Sequence, residues 1–286
     1  MKASLVVLAL WSFWLQGRAN ANPPDHLSDP ASPEKREVQF AQPAPYSDVT
    51  NITRHFGYTV DLPKYDLTNE SFRVSTPLTY STNGSWGLLV WISPADDPAL
   101  PSDWERELES HGLLFVAARH SGNQRHPLDR FRLALDATCN MCRRYKIDRR
   151  RIYVGGFSGG ARMASMLGVG YADIFAGTLC VCGVNFYKDV AAAGGKYYPA
   201  TFTPDPGVLL QGKRNCRFVL LTGENDENRD NTKRVSTSGF KREGFRHVFY
   251  LEVAGMNHTM PSAKSLAQAL DYLSGEPDAE RSVKGY

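Results

Sequence analysis

The sequence predicts an α/β fold, a mostly parallel central sheet flanked by helices, with a long cap-like insertion. Three observations carry this expectation. From Trp86 onward, short apolar runs rich in β-branched residues alternate with amphipathic stretches of helical period. A glycine-crowded turn, Gly155-Gly156-Phe157-Ser158-Gly159-Gly160, joins one such run to a helix. Further polar residues follow two later runs, and open α/β sheets build their sites just past the carboxyl ends of strands.

The elements follow in order. His55–Val60 and Ser71–Val74 are short alternating segments, which predict an antiparallel entry hairpin. Gly87–Ile92 is a buried strand, Ser102–His111 an amphipathic helix, Leu113–Ala118 a second strand and Leu128–Tyr145 a second helix. Ile152–Gly155 leads into the glycine turn, and Ala161–Leu167 continues the helix beyond it. Phe175–Val181 and Phe218–Thr222 read as strands, Arg229–Glu243 as a helix, His247–Val253 as a strand and Ser262–Leu273 as a closing helix. Gly183–Asn215 breaks the rhythm. It is long and aromatic (Phe186, Tyr187, Tyr197, Tyr198, Phe202), and a loop of that length inside a domain is usually functional, here as a cap over the site.

A chain of 286 residues with 42% hydrophobic content can bury a full core. The start of the chain is a different kind of segment. Residues 1–21 combine Lys2, an apolar run from Ala3 to Leu15 and Ala19-Asn20-Ala21, the pattern of a secretory signal peptide cut after Ala21. The run is shorter than the ~20 residues that span a bilayer, so no membrane anchor is expected and the protein is read as secreted or periplasmic. Residues 22–45 are rich in Pro, Asp, Ser and Ala and read as a flexible leader, leaving 46–286 as the folded domain.

Without Lys2 and Arg18 the formal charge falls from +3 to +1, which gives no electrostatic reason to expect nucleic acid as a partner. The basic run from Arg143 to Arg151 falls at a helix end and the following turn, where cations suit the dipole. Cys139 and Cys142 lie inside a helix without a second ligand pair, which argues against zinc or redox use. A disulfide from Cys216 to Cys180 or Cys182 is expected for an exported chain. No histidine pair has metal-ligand spacing, so neither metal nor cofactor is expected.

The chemistry centres on Ser158. In a strand–turn–helix context, G-x-S-x-G reads as a nucleophile elbow, a strained turn that presents the serine hydroxyl at its tip. A Cβ at 156 or 160 would crowd the crossing, and the Gly159 N–H faces the place where an oxyanion forms. A serine hydroxyl is a poor nucleophile at neutral pH and needs an aligned base, itself oriented by a carboxylate. Asp226 follows the 218–222 strand, with Glu224 and Asp230 as near rivals, and His258 follows the 247–253 strand in a loop bounded by Gly255 and Pro261. The order Ser158, Asp226, His258 is that of the α/β-hydrolase fold. The second oxyanion donor is expected in the loop Ser93-Pro94-Ala95-Asp96-Asp97, where Pro94 has no N–H, so it falls to Ser93 or Ala95. His55, His111, His120, His126 and His247 have no comparable setting.

Five segments, Trp91-Ile92-Ser93-Pro94, Ser121-Gly122-Asn123, Gly156–Gly160, Thr222-Gly223-Glu224-Asn225-Asp226 and Gly255-Met256-Asn257-His258, resemble those of exported α/β-hydrolases. The resemblance extends over about Trp86 to Leu273 and points to polyhydroxybutyrate depolymerase-like and feruloyl esterase-like enzymes. It implies hydrolysis of a small or polymer-linked ester through an acyl-serine intermediate, with Ser158 as nucleophile, His258 as base then acid, and Asp226 as orienter. Two other readings compete with it. One is a serine peptidase of the prolyl-oligopeptidase type, and the other a non-catalytic binding protein on a hydrolase scaffold.

Overall fold

The strand β1 (Lys35–Gln39) pairs antiparallel with β2 (Ser71–Ser75), which pairs antiparallel with β4 (Leu113–Ala118). Every further pairing in this sheet is parallel. β3 (Trp86–Ile92) lies between β4 and β5 (Ile147–Phe157), followed by β6 (Gly177–Val181), β9 (Arg217–Gly223) and β10 (His247–Val253). The computed structural model describes residues 35–57 and 64–275. Among these, the main sheet has eight strands in the order β1-β2-β4-β3-β5-β6-β9-β10.

The parallel strands carry apolar residues on both faces because helices cover both. Along β3, Leu88, Val90 and Ile92 join one core while Leu89 and Trp91 join the other. The first core is closed by α1 (Val49–Phe56), α3 (Pro127–Arg144) and α4 (Gly159–Gly170), through side chains such as Phe56, Phe131 and Leu167. The second is closed by α2 (Ser102–Ser110) and α7 (Ala263–Ser274), through Trp104, Leu108, Leu266 and Leu270. Trp104 stands edge-on to Trp91 at 5.2 Å and donates its indole N–H to Pro261 O, which fixes the loop before α7.

Several expectations are corrected. The leader read over 22–45 is strand from Lys35 to Gln39, and residues 22–34 lie outside the described residues, as does the signal segment 1–21. One buried side chain, Val38, gives β1 no readable alternation; its edge pairing and the Lys35–Glu105 and Arg119–Glu37 ion pairs hold it. The entry hairpin does not form. His55 and Phe56 end α1, which Asp48 caps by accepting from the Asn51 N–H, residues 58–63 lie outside the described residues, and β2 pairs elsewhere. The segment 183–215 is not wholly irregular. It holds a two-stranded hairpin, β7 (Val190–Ala191) with β8 (Tyr197–Tyr198), and the helix α5 (Pro206–Asn215), capped by Asp205. Past β9, α6 (Arg229–Arg234) runs on as a π-helix from Val235 to Lys241.

The expected disulfide is absent, and all five cysteines are free. Sheet register explains this. Arg217 pairs with Gly177 and Leu220 with Cys180, so Cys216 lies about four residues, or roughly 13 Å, along the sheet from Cys180, and farther from Cys182. Disulfide Cα atoms must approach within roughly 7 Å. The Cys216 thiol instead donates to Ala172 O and Phe175 O.

Candidate active site

Ser158 stands between β5 and α4 with φ 54° and ψ −118°, a conformation costly for any residue with a Cβ. Close packing enforces it. A Cβ on Gly156 would lie 2.4 Å from the Gly160 carbonyl carbon, and one on Gly160 would lie 1.9 Å from Ile92 O. The Ser158 N–H donates to Val181 O at 2.8 Å, which ties the turn to the end of β6. On the other side a Cβ on Gly183 would lie 2.6 Å from Ser158 O.

His258 reaches the serine from the loop after β10. Its Nε2 is 2.9 Å from Ser158 Oγ and its Nδ1 is 2.7 Å from Asp226 Oδ1. The loops carrying His258 and Asp226 are stitched together: Glu224 N donates to Val253 O and Asn225 N to Met256 O, both at 3.0 Å. Only glycine at 223 permits this approach, since a Cβ there would meet Met256 O at 2.0 Å. The Phe157 ring packs against the imidazole at 5.0 Å.

The Asp226 side chain is fully buried, and that of His258 is 29% exposed, so the relay runs from a dry carboxylate to an accessible imidazole. Burial pushes the Asp226 carboxyl up. Hydrogen bonds from the Thr222 hydroxyl, the Asn228 N–H, His258 and the Cys182 thiol outweigh it and hold the group below the ordinary carboxylate range. The carboxylate is therefore ionised at neutral pH and only accepts. The proton sits on Nδ1, which leaves Nε2 to accept from the Ser158 hydroxyl.

The rival acids are occupied elsewhere. Glu224 accepts from the Gly255 N–H at 2.8 Å, and Asp230 pairs with Arg234 at 2.7 Å. Among the other histidines, His55 stacks on Tyr171, His111 pairs with Asp271 and His126 caps α3. Cys182 Sγ, an Asp226 oxygen and a His258 nitrogen lie within 4.8 Å of one another, a possible donor set for a metal. A metal there would have to displace the His258–Asp226 bond and deprotonate a thiol whose pKa burial raises.

Gly159 opens α4, where helical N–H groups have no intrahelical partner. Ser93 directly follows β3, whose Ile92 pairs with Gly156, and so comes alongside the turn. Ser93 O accepts from Arg130 Nη2 at 2.9 Å, while Ala95 N–H donates to Ser93 Oγ at 3.0 Å. Asn123 stands beside this turn as well. Its side-chain oxygen lies 2.1 Å from where a Gly159 Cβ would be, so its amide stands directly over Gly159. Its backbone N–H holds it to Pro94 O at 2.9 Å. The segment Ser121-Gly122-Asn123 carried part of the resemblance, which was the available signal. Thr222 likewise lies in a segment of the resemblance, whereas nothing in the sequence marks Asn228 and Cys182, whose hydrogen bonds to Asp226 depend on loop geometry.

No protein-family model matches the chain, and no curated protein matches it in sequence. Solved structures match it in shape at low identity. A mutant feruloyl esterase module from Clostridium thermocellum, complexed with sinapinate, superposes with a TM-score of 0.57 at 12% identity, over 86% of this chain and 89% of that one. A ferulic acid esterase from Anaeromyces mucronatus, in complex with ferulic acid, gives 0.55 at 14% identity, over 85% and 90%. A putative dipeptidyl aminopeptidase IV from Bacteroides ovatus gives 0.53 at 13% identity, over 86% of this chain but only 36% of that one. The sheet, its flanking helices and these superpositions show that the chain has the α/β-hydrolase fold.

Proposed function

We propose that the protein is a serine hydrolase that cleaves carboxylic esters through an acyl-serine intermediate. The observation that carries this is the continuous relay Ser158 Oγ–His258 Nε2, His258 Nδ1–Asp226 Oδ1, at 2.9 and 2.7 Å. In the first half-reaction His258 takes the Ser158 proton as Oγ attacks the ester carbonyl, then gives it to the departing alcohol. In the second, His258 takes a proton from water, hydroxide adds to the acyl group, and the proton returns to Ser158 as the acid leaves. Asp226 fixes the imidazole tautomer and faces the positive charge on the ring. The Gly159 N–H and one from the 93–95 loop receive the oxyanion. Within that loop Ser93 is favoured, because the Ala95 N–H is already engaged by Ser93 Oγ.

Ester hydrolysis is the reading supported by the two esterase structures, which the chain matches over about nine-tenths of their length. The substrate class is a small or polymer-linked ester, and the signal-like segment 1–21 supports a secreted or periplasmic location. The test is hydrolysis of a chain-length series of p-nitrophenyl esters beside matched amides, by wild type and Ser158→Ala. Ester turnover that falls by about 10³-fold or more in the variant is expected. Equal rates in both proteins overturn the reading, and faster amide cleavage favours the peptidase. Failure of Ser158 to label with a fluorophosphonate would leave a binding protein.

A further inference from the structure

Arg162 lies one helical turn beyond Ser158, its backbone N–H donating to Ser158 O at 3.2 Å. Helical side chains lean toward the N-terminus of their helix, so its guanidinium lies toward the serine end of α4. There Nη1 donates to Val184 O at 3.1 Å and to Asn185 Oδ1 at 3.2 Å, and Nη2 donates to Asn228 Oδ1 at 2.9 Å. All three acceptors are neutral. Among the described residues, no carboxylate lies within ion-pair distance of this half-buried cation. Burial lowers its pKa, yet a guanidinium stays charged at neutral pH.

The same guanidinium borders a pocket of about 170 Å³ between α4, the 184–201 segment and α6. Phe186 and Val235 give it apolar wall, and Asn185, Tyr198 and Asn231 give it polar wall. Asn231 is 5% exposed, and its side-chain oxygen has no hydrogen-bond partner. The nearby Asp230 is held by Arg234 and by the Tyr198 hydroxyl, at 2.7 and 2.8 Å, so its charge is already countered. Hydrogen bonds through Asn228 connect the pocket's guanidinium to the relay. Asn228, which receives the guanidinium, donates its backbone N–H to Asp226 Oδ1 at 3.0 Å.

We propose that this pocket binds a carboxylate carried by the substrate on a short apolar arm, with Arg162 as its counter-ion. The preferred substrates are then esters bearing a second, ionised acid group, such as half-esters of short dicarboxylic acids. A partly desolvated guanidinium whose acceptors among the described residues are all neutral gains most from a bidentate anion, and the volume admits a carboxylate with a few carbons but not a long acyl chain. The inference rests on the serine hydrolase reading above for its substrate, but not for its binding site.

The test compares kcat/KM for monomethyl glutarate and for methyl butyrate in wild type, Arg162→Lys and Arg162→Met. The wild type is expected to favour the anionic ester by about tenfold or more, with the ratio partly kept in Arg162→Lys and collapsed to about one in Arg162→Met. Using the ratio removes any general loss that Arg162→Met causes through Asn228 and Asp226. A ratio that does not change between wild type and Arg162→Met overturns the proposal. Calorimetric binding of monomethyl glutarate to Ser158→Ala, with and without Arg162→Met, separates the two readings. Binding that needs Arg162 in a protein that turns over no ester keeps the pocket and sinks the hydrolase. Turnover of neutral esters without such binding does the reverse.

Discussion

The Thr222 hydroxyl donates to Asp226 Oδ2 across 2.6 Å, on the opposite side of the carboxylate from His258. Both Thr222 and Asp226 are buried, so this bond is made without competition from water. It is one of the contacts that keep the carboxyl below its ordinary pKa. A group with a depressed native pKa stabilises the fold above its unfolded pKa, and that contribution is lost as pH falls through the native value. Thr222→Val removes one donor and raises the native pKa. The variant should lose about 1–3 kcal/mol at pH 7, and the gap should narrow as pH falls from roughly 4, where the unfolded carboxyl protonates, through the lower native pKa. Urea unfolding of both proteins across that range checks it; a gap independent of pH would mean that Thr222 acts only through packing.

Asp226 and Glu224 are two residues apart, yet only Asp226 touches the imidazole, while Glu224 holds the Gly255 N–H. Under the proposed mechanism Asp226→Asn should lower kcat by about 10⁴-fold, because an amide no longer enforces the tautomer. Glu224→Gln keeps an acceptor for Gly255 and should cost less than about tenfold. The reverse ranking in ester turnover would move the orienting role to Glu224.

A Cβ at 160 would overlap the Ile92 carbonyl oxygen, which belongs to the strand and cannot step aside as a side-chain tip does. Gly160→Ala should therefore destabilise by about 3 kcal/mol or more, at the upper end of overpacking costs. Thermal unfolding of the purified variant, or its insolubility beside a soluble wild type, measures this. An unchanged Tm would show that the turn has more room than the packing allows.

All five thiols are free, but they are unequal. Burial raises every thiol pKa that shifts, Cys142 to about 11 and Cys216 to about 12, with Cys180 and Cys182 raised further. Alkylation at pH 8 without reductant should be faster at Cys139 and Cys142, the two partly exposed thiols, and Cys180 should react only after unfolding. Mass spectrometry of the unfolded, unreduced protein should count five alkylated cysteines. A count of three would restore a disulfide.

Much of the fold is legible in local patterns because parallel strands buried on both faces are continuous apolar runs, as Leu113–Ala118 is. The elbow is legible because its glycines answer a steric demand that is local in sequence, between Gly156 and Gly160. The first pairings of the sheet are not. His55 falls in a helix because Asp48 caps one there, and β1 exists because an edge of β2 is open to it. Neither cause is visible within the segment it governs.

The sequence by itself determined the order of strands and helices from Trp86 to Val181 and from Phe218 to Leu273, the strained turn at Ser158, and Asp226 and His258 as candidates at two strand ends. Tertiary structure decided which of three nearby acids meets the imidazole, that Cys216 stands too far along the sheet to reach Cys180, and that Arg162 borders a pocket with no carboxylate partner among the described residues. The reason is physical. Propensity and period act over a few residues, whereas hydrogen-bond partners, sheet register and the desolvation of a charge depend on atoms far apart in sequence, a hundred residues for Ser158 and His258.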